Sequence, residues 1–284
     1  MRALLAWFVA WIVLVAMQMV TGGLLLQGMP AAKAGGFGMF ALSDALQVLV
    51  LVVLARVMVL SGWRRAMALF AVAWGLQVND LIEAVYFRLP IPRSLLPALF
   101  LDTFIVTLVL CLVVAPMAPA AKSQLTCWPA DRSPGSWIRR VIVADLLYLA
   151  LYLSAGVLVW PFVREFYSAL TIPPLPAVIA MQILFRGLVM SGLVAVLVGT
   201  LSGSRIRVAL YTGLALSVLG GVAPLLAPNA FFPDSVRWAH MVETGTSNFL
   251  YGVLAALLFA SPPRPVLPAA ESIENAPSRQ SSPS

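Results

Sequence analysis

Eight long apolar stretches, separated by helix breakers, decide what this chain can fold into. They cover about 3–26, 39–60, 65–87, 95–116, 139–160, 176–200, 207–227 and 236–260. A helix rises about 1.5 Å per residue, so roughly 20 apolar residues cross a hydrocarbon layer ~30 Å thick. The links are short and carry Gly28-Met29-Pro30, Leu89-Pro90-Ile91-Pro92, Pro173-Pro174 and Pro228-Asn229, residues that stop helices. Only 10% of the residues are charged and 61% are hydrophobic, whereas a soluble domain carries about 25% charged residues. So few charges cannot cover a globular surface. The expected fold is all-α: a polytopic transmembrane helix bundle of about eight spans.

Orientation follows from the loop cations. Arg2, Arg64, Arg65, Lys122, Arg132, Arg139, Arg140, Arg205, Arg207, Arg264 and Arg279 fall on one side. Only Lys33, Arg88, Arg93, Arg164 and Arg237 fall on the other, while Arg56 and Arg186 lie within spans. The richer side is expected to be cytoplasmic, giving an N-in/C-in protein of a bacterial-type cytoplasmic (inner) membrane. The first apolar run exceeds the 7–15 residues of a secretory signal core and reads as a span. Residues 1–261 form the expected bundle, interrupted by a cytoplasmic loop at 117–138. The tail 262–284, rich in Pro, Ser, Ala and Glu, is expected to be a disordered cytoplasmic segment.

The net charge of +7 does not indicate nucleic acid, because the cations are dispersed through short loops with no basic helix face. The expected partner is the lipid bilayer; oligomeric state is not encoded in any motif. Cys111 and Cys127 have no metal-ligand spacing and are expected to be free thiols.

Charged groups inside a bilayer cost about 2.5–3.5 kcal/mol each at mid-depth, so they are kept where they find partners or water. Asp44, Asp80, Glu83, Asp102, Asp145 and Glu243 fall within spans, with Arg186 and the single histidine, His240. Given the alternating span directions, all but Asp145 and Arg186 fall in the outer half of the bilayer. His240, Glu243, Thr244, Ser247 and Tyr251 recur at three- and four-residue steps, which sets them on one helix face, with Asn248 beside them. Asn79, Glu83 and Tyr86 share a second face with Asp80 at its edge, and Asp145, Tyr148, Tyr152 and Gly156 share a third. Arg186 is too deep to reach the interface and is expected to pair with Glu83, Asp102 or Glu243. The polar-site candidates are therefore Asp80, Glu83, Asp102, Arg186, His240, Glu243, Ser247 and Asn248.

Three functions compete for such a set. A transporter or binding protein would use the acids for coupling to a proton or cation, and Arg186 to receive an anion. Gly22-Gly23 and Gly220-Gly221 with Pro224 would then mark broken helices. A membrane-embedded metal-dependent enzyme would gather Asp80, Glu83, His240 and Glu243 around a divalent cation, with Mn²⁺, Mg²⁺ or Fe²⁺ suited to the oxygen-rich set and Zn²⁺ as a further option. A non-catalytic assembly or sensor subunit would turn the same groups to a partner helix. No catalytic residue is assignable: there is no Gly-x-Ser-x-Gly, no phosphate-binding glycine loop and no His-Glu-x-x-His. Transport or binding of a small solute or ion is preferred to an enzyme.

The stretch His240-Met-Val-Glu243-Thr-Gly-Thr-Ser-Asn-Phe-Leu-Tyr-Gly252, with Arg186-Gly187 and Glu165-Phe166-Tyr167, resembles a pattern in uncharacterised bacterial multi-pass membrane proteins. The resemblance covers short stretches of the second half. It directs attention to Arg186, His240, Glu243, Ser247 and Asn248 and implies no activity.

Overall fold

The computed structural model describes residues 2–26, 36–119, 121, 125–129, 131–229 and 231–265. Among these are eight long helices: α1 (Arg2–Leu25), α2 (Phe37–Val57), α3 (Gly62–Tyr86), α4 (Leu96–Met117), α5 (Pro134–Ser168), α6 (Leu175–Thr200), α7 (Arg205–Leu226) and α8 (Asp234–Phe259). The first seven are long and apolar enough to cross a membrane. The eighth, 26 residues long, is made less apolar by its polar stripe. Large apolar side chains lie on the outside of the bundle, among them Leu4, Leu158, Phe162, Leu184 and Val242. That is the arrangement of a protein whose solvent is hydrocarbon.

The two halves of the chain form two packed groups. In the first, α1 packs on α2 and α4, and α3 on α4; in the second, α8 packs on α5 and α7. They meet where α3 lies on α6 and α2 on the end of α7. The α7–α8 contact depends on glycine: a Cβ on Gly252 would come within 2.7 Å of Gly213 Cα, and one on Gly221 within 2.9 Å of Gly245 N. Small residues let helix backbones approach where no solvent drives association.

Four expectations are corrected. The fifth span, expected at 139–160, is a 35-residue helix, which absorbs the end of the 117–138 loop and Glu165-Phe166-Tyr167. It continues through Pro161, and Val159 and Val163 bury against Val236 of α8, so tertiary packing offsets the missing proline N–H. Secondly, α1 runs unbroken through Gly22-Gly23. Thirdly, Gly220-Gly221 does not break α7 but lies in a π-turn, Val218–Val222, closed by Ala223 N–H donating to Val218 O. Pro224 has no N–H to offer Gly220 O, and the Asn248 amide donates to that carbonyl at 3.1 Å instead. Lastly, Arg264–Pro265 pairs antiparallel with Leu125–Thr126, so the tail is ordered to residue 265; the rest of it lies outside the described residues.

The arginines at the end opposite the polar stripes do more than carry charge. The last carbonyls of α8 accept from three of them: Arg205 to Leu257 O at 2.9 Å, Arg140 to Leu258 O, and Arg132 to Phe259 O at 2.7 Å. Buried Arg65 donates to Ala115 O and Ala118 O, at 2.9 and 2.7 Å, at the end of α4. Helix C-termini leave four carbonyls unpaired and carry partial negative charge, and guanidinium groups answer both needs. Both cysteines are free and buried.

Candidate functional site

At the other end, the last turns of α3, the second half of α5, the start of α6, the end of α7 and the first half of α8 enclose a cavity of about 480 Å³. Seven of the eight expected site residues line it: Asp80, Glu83, Arg186, His240, Glu243, Ser247 and Asn248. Asp102 does not. It faces α1, where it bonds Thr21, because α4 packs behind α3 and away from the second half of the chain. Asp44 also lies elsewhere, accepting from Gln18 Nε2 at 3.1 Å between α1 and α2.

Arg186 organises the floor. It ends a π-turn, Gln182–Arg186, closed by Gly187 N–H donating to Gln182 O. A π-turn inserts one residue and rotates the helix beyond it, so such turns re-aim side chains at functional positions. The guanidinium is buried and ion-pairs with Asp80 at 3.2 Å and with Glu83. A further N–H donates to Gln182 Oε1 at 3.4 Å. The Asn79 amide, oriented to satisfy its neighbours, accepts from Nη2 at 3.0 Å and Nε at 3.2 Å. Tyr148 and Tyr152 place their rings 5.8 Å from the guanidinium carbon. All five guanidinium N–H groups thus have acceptors. Arg186 is a structural cation locked by two acids, one of them Asp80, which the expected partners Glu83, Asp102 and Glu243 did not include. It is not a free anion receptor.

The second group lies above the first on α8. His240 Nδ1 is 2.6 Å from Glu243 Oε2, and Nε2 is 2.9 Å from the Tyr167 hydroxyl. A carboxylate only accepts, so Nδ1 donates to Glu243; in the neutral ring Nε2 then accepts from Tyr167. The ring is packed between Tyr167 and Phe232, each with its centroid 5.6 Å away. Hydroxyl, imidazole and carboxylate are thereby connected in series, the order that orients an imidazole for proton transfer.

These two pairings explain why the expected metal set does not assemble. Among the described residues there is no group of three or more His, Cys, Asp or Glu side chains placed to hold a metal ion. Asp80 and Glu83 are turned to Arg186, while His240 and Glu243 are turned to each other. The four expected ligands are thus divided between two pairings and do not converge on one point.

Sequence reasoning passed over Asn79, Gln182 and Tyr167 as site residues. Asn79 and Gln182 were legible as neighbours on the faces of Glu83 and Arg186. Tyr167 was not, since it fell beyond the expected end of its helix. Asp145, in contrast, is buried below the cavity floor, and its Oδ1 has no hydrogen-bond partner among the described residues. It lies against Gly187, where a Cβ would come within 1.9 Å of that oxygen.

No protein-family model, no curated protein and no solved structure matches this chain.

Proposed function

We propose that this chain is an eight-span, N-in/C-in protein of a bacterial-type inner membrane whose outward-facing cavity binds a small solute or ion for transport. The observation that carries the reading is the convergence of Asp80, Glu83, Arg186, His240, Glu243, Ser247 and Asn248, from three helices, on one cavity. Groups serving only as packing contacts would be distributed over separate helix interfaces, as Asp44 and Asp102 are. The eleven loop cations counted for the cytoplasmic side favour the orientation in which this cavity faces outward. In this reading Arg186 holds Asp80 and Glu83 in place, and Tyr167, His240 and Glu243 form a relay that exchanges a proton as solute enters or leaves.

The test has two parts. Reporter fusions within 88–94 and 228–235 are expected to report the extracytoplasmic side. The purified protein in nanodiscs is then heated with a panel of short- and long-chain amines, acids, sugars and monovalent cations. At least one class is expected to raise the unfolding temperature of the wild type and not of Glu243→Gln. A cytosolic signal from either loop, or a panel without effect, overturns the reading.

A further inference from the structure

The cavity has a side opening. Helix α5 packs against α6 from the Gln182–Arg186 turn inward, while the first turns of α6, Leu175–Met181, make no comparable contact with it. The short link between Ser168 and Leu175 joins them again at the outer end. Between the π-turn below and this link above, the wall is incomplete. Four cavity-lining residues of α5, the link and the start of α6 are exposed, Val157, Trp160, Ile172 and Leu175, and all four are apolar. Val157 is 74% exposed and Leu175 61%. An opening that led to water would be rimmed with polar groups; an apolar rim on the flank of a membrane helix faces hydrocarbon.

The inner surface has the opposite character. Counted as ionised, Asp80, Glu83 and Glu243 outweigh Arg186 and leave the set negative whether or not His240 is protonated. An anionic headgroup would meet no free guanidinium donor, since all five N–H groups of Arg186 are engaged. A cationic group would meet carboxylates, and in a low dielectric a charge is favoured only opposite a counter-charge.

Resting on the solute-binding reading above, we infer that the ligand is a cationic amphiphile, an ammonium group on an apolar chain, which enters from the bilayer between α5 and α6. Its ammonium faces Glu243 and the oxygens of Asp80 and Glu83 that Arg186 does not engage, Oδ2 and Oε2, and its chain lies along Gly156, Val157 and Trp160. A Cβ on Gly156 would meet nothing within 4 Å, so a larger residue there fills the cavity without disturbing the helix contacts.

The experiment uses the full chain in phosphatidylcholine nanodiscs, with dodecylammonium, dodecanol, dodecanoate and butylammonium as probes. Binding is read from the unfolding temperature and from tryptophan emission, with Trp160→Phe identifying the local signal. Dodecylammonium is expected to bind; the neutral and anionic chains are expected to bind at least about tenfold more weakly for want of a charge partner, and the short amine at least about tenfold more weakly for want of apolar burial. Gly156→Phe is expected to abolish dodecylammonium binding with the unfolding temperature of the unliganded protein unchanged, and Glu243→Gln to weaken it. Brominated acyl chains in the disc are expected to quench the Trp160 component. Discs containing phosphatidylethanolamine separate the sources: competition identifies a lipid-borne ammonium, and its absence a free amphiphile. Equal binding of dodecanol or dodecanoate, or a Gly156→Phe protein that binds normally, overturns the inference. If hydrophilic solutes bind in a Glu243-dependent way and dodecylammonium does not, the ligand class is wrong and the solute-binding reading stands. If no probe and no solute binds, both fall.

Discussion

His240 Nδ1 lies 2.6 Å from Glu243 Oε2, one helical turn away on α8, while the other ring nitrogen meets Tyr167 of α5 at 2.9 Å. One imidazole thus joins the two helices that form the outer wall of the cavity. Neither member of the α8 pair is fully buried, with side chains 17% and 13% exposed. Both line the cavity.

His240→Ala and Glu243→Gln are expected to accumulate in the membrane at wild-type levels and to lose the stabilisation that a bound solute confers. Tyr167→Phe keeps the imidazole–carboxylate contact and is expected to show an intermediate loss. Membrane yield and ligand-dependent unfolding temperature check this. Failure of the first two variants to accumulate would assign the pair a structural role.

Arg186→Met leaves the partly buried Asp80 and Glu83 without their cation and is expected to cost up to about 3 kcal/mol, the lower end of the range for breaking a fully buried pair. Glu83→Gln leaves Arg186 with Asp80 and Asn79 and is expected to cost less. Thermal unfolding in detergent ranks them. Equal stability of Arg186→Met and the wild type would show that the guanidinium does not hold the two acids.

Gly187→Ala places a Cβ 1.9 Å from Asp145 Oδ1 and 3.1 Å from Gln182 O. The crowding is expected to destabilise by about 1–3 kcal/mol, as for other overpacked interiors. Asp145→Ala in the same chain removes the closer contact and is expected to recover part of the loss. A double-mutant cycle measures the coupling; strictly additive effects would mean that the two residues do not meet.

Arg64 and Arg65 contribute equally to the loop charge, yet Arg64 is exposed and Arg65 buried. Arg64→Ala is expected to be near neutral. Arg65→Ala leaves the Ala115 and Ala118 carbonyls unpaired and is expected to cost about 1–3 kcal/mol. If both substitutions have the same effect on folded yield, Arg65 acts through charge alone.

Burial pushes the Cys127 thiol above its ordinary range, against the opposing influence of Arg205, and its Sγ faces Gly203 O at 3.4 Å. The nucleophile is the thiolate, and a raised pKa moves its appearance to higher pH. In a Cys111→Ser background, maleimide labelling at pH 7 is expected to be far slower than for a free thiol and to become rapid on denaturation. Fast labelling of the folded protein would contradict the burial of Cys127, which follows the Leu125–Thr126 strand and accepts from Ser261 N–H.

The alternation of the polar positions on α8 was readable because helical periodicity is local: steps of three and four put His240, Glu243 and Ser247 on one face whatever the partner helix. The same holds for Asp80 and Glu83 on α3. The choice of partners was not readable in this way. Asp102 shares the depth of Asp80, yet α4 packs behind α3, and no spacing within α4 records that. The metal set failed for the same reason: the guanidinium that occupies Asp80 and Glu83 comes from a helix 106 residues further along the chain.

By itself, the sequence determined that the chain is helical and suited to lipid, where the helices other than α5 lie to within a few residues, and which faces of α3, α5 and α8 are polar. All of these follow from apolar length and the 3.6-residue repeat, which are properties of single segments. The tertiary structure alone decided that α5 runs on past Pro161 to bring Tyr167 against His240. It also decided that a π-turn re-aims Arg186 and that the Asn248 amide answers the Gly220 carbonyl left unpaired by Pro224. Each depends on side chains distant in sequence competing for the same space and the same hydrogen bonds, and that competition is settled only when the helices pack.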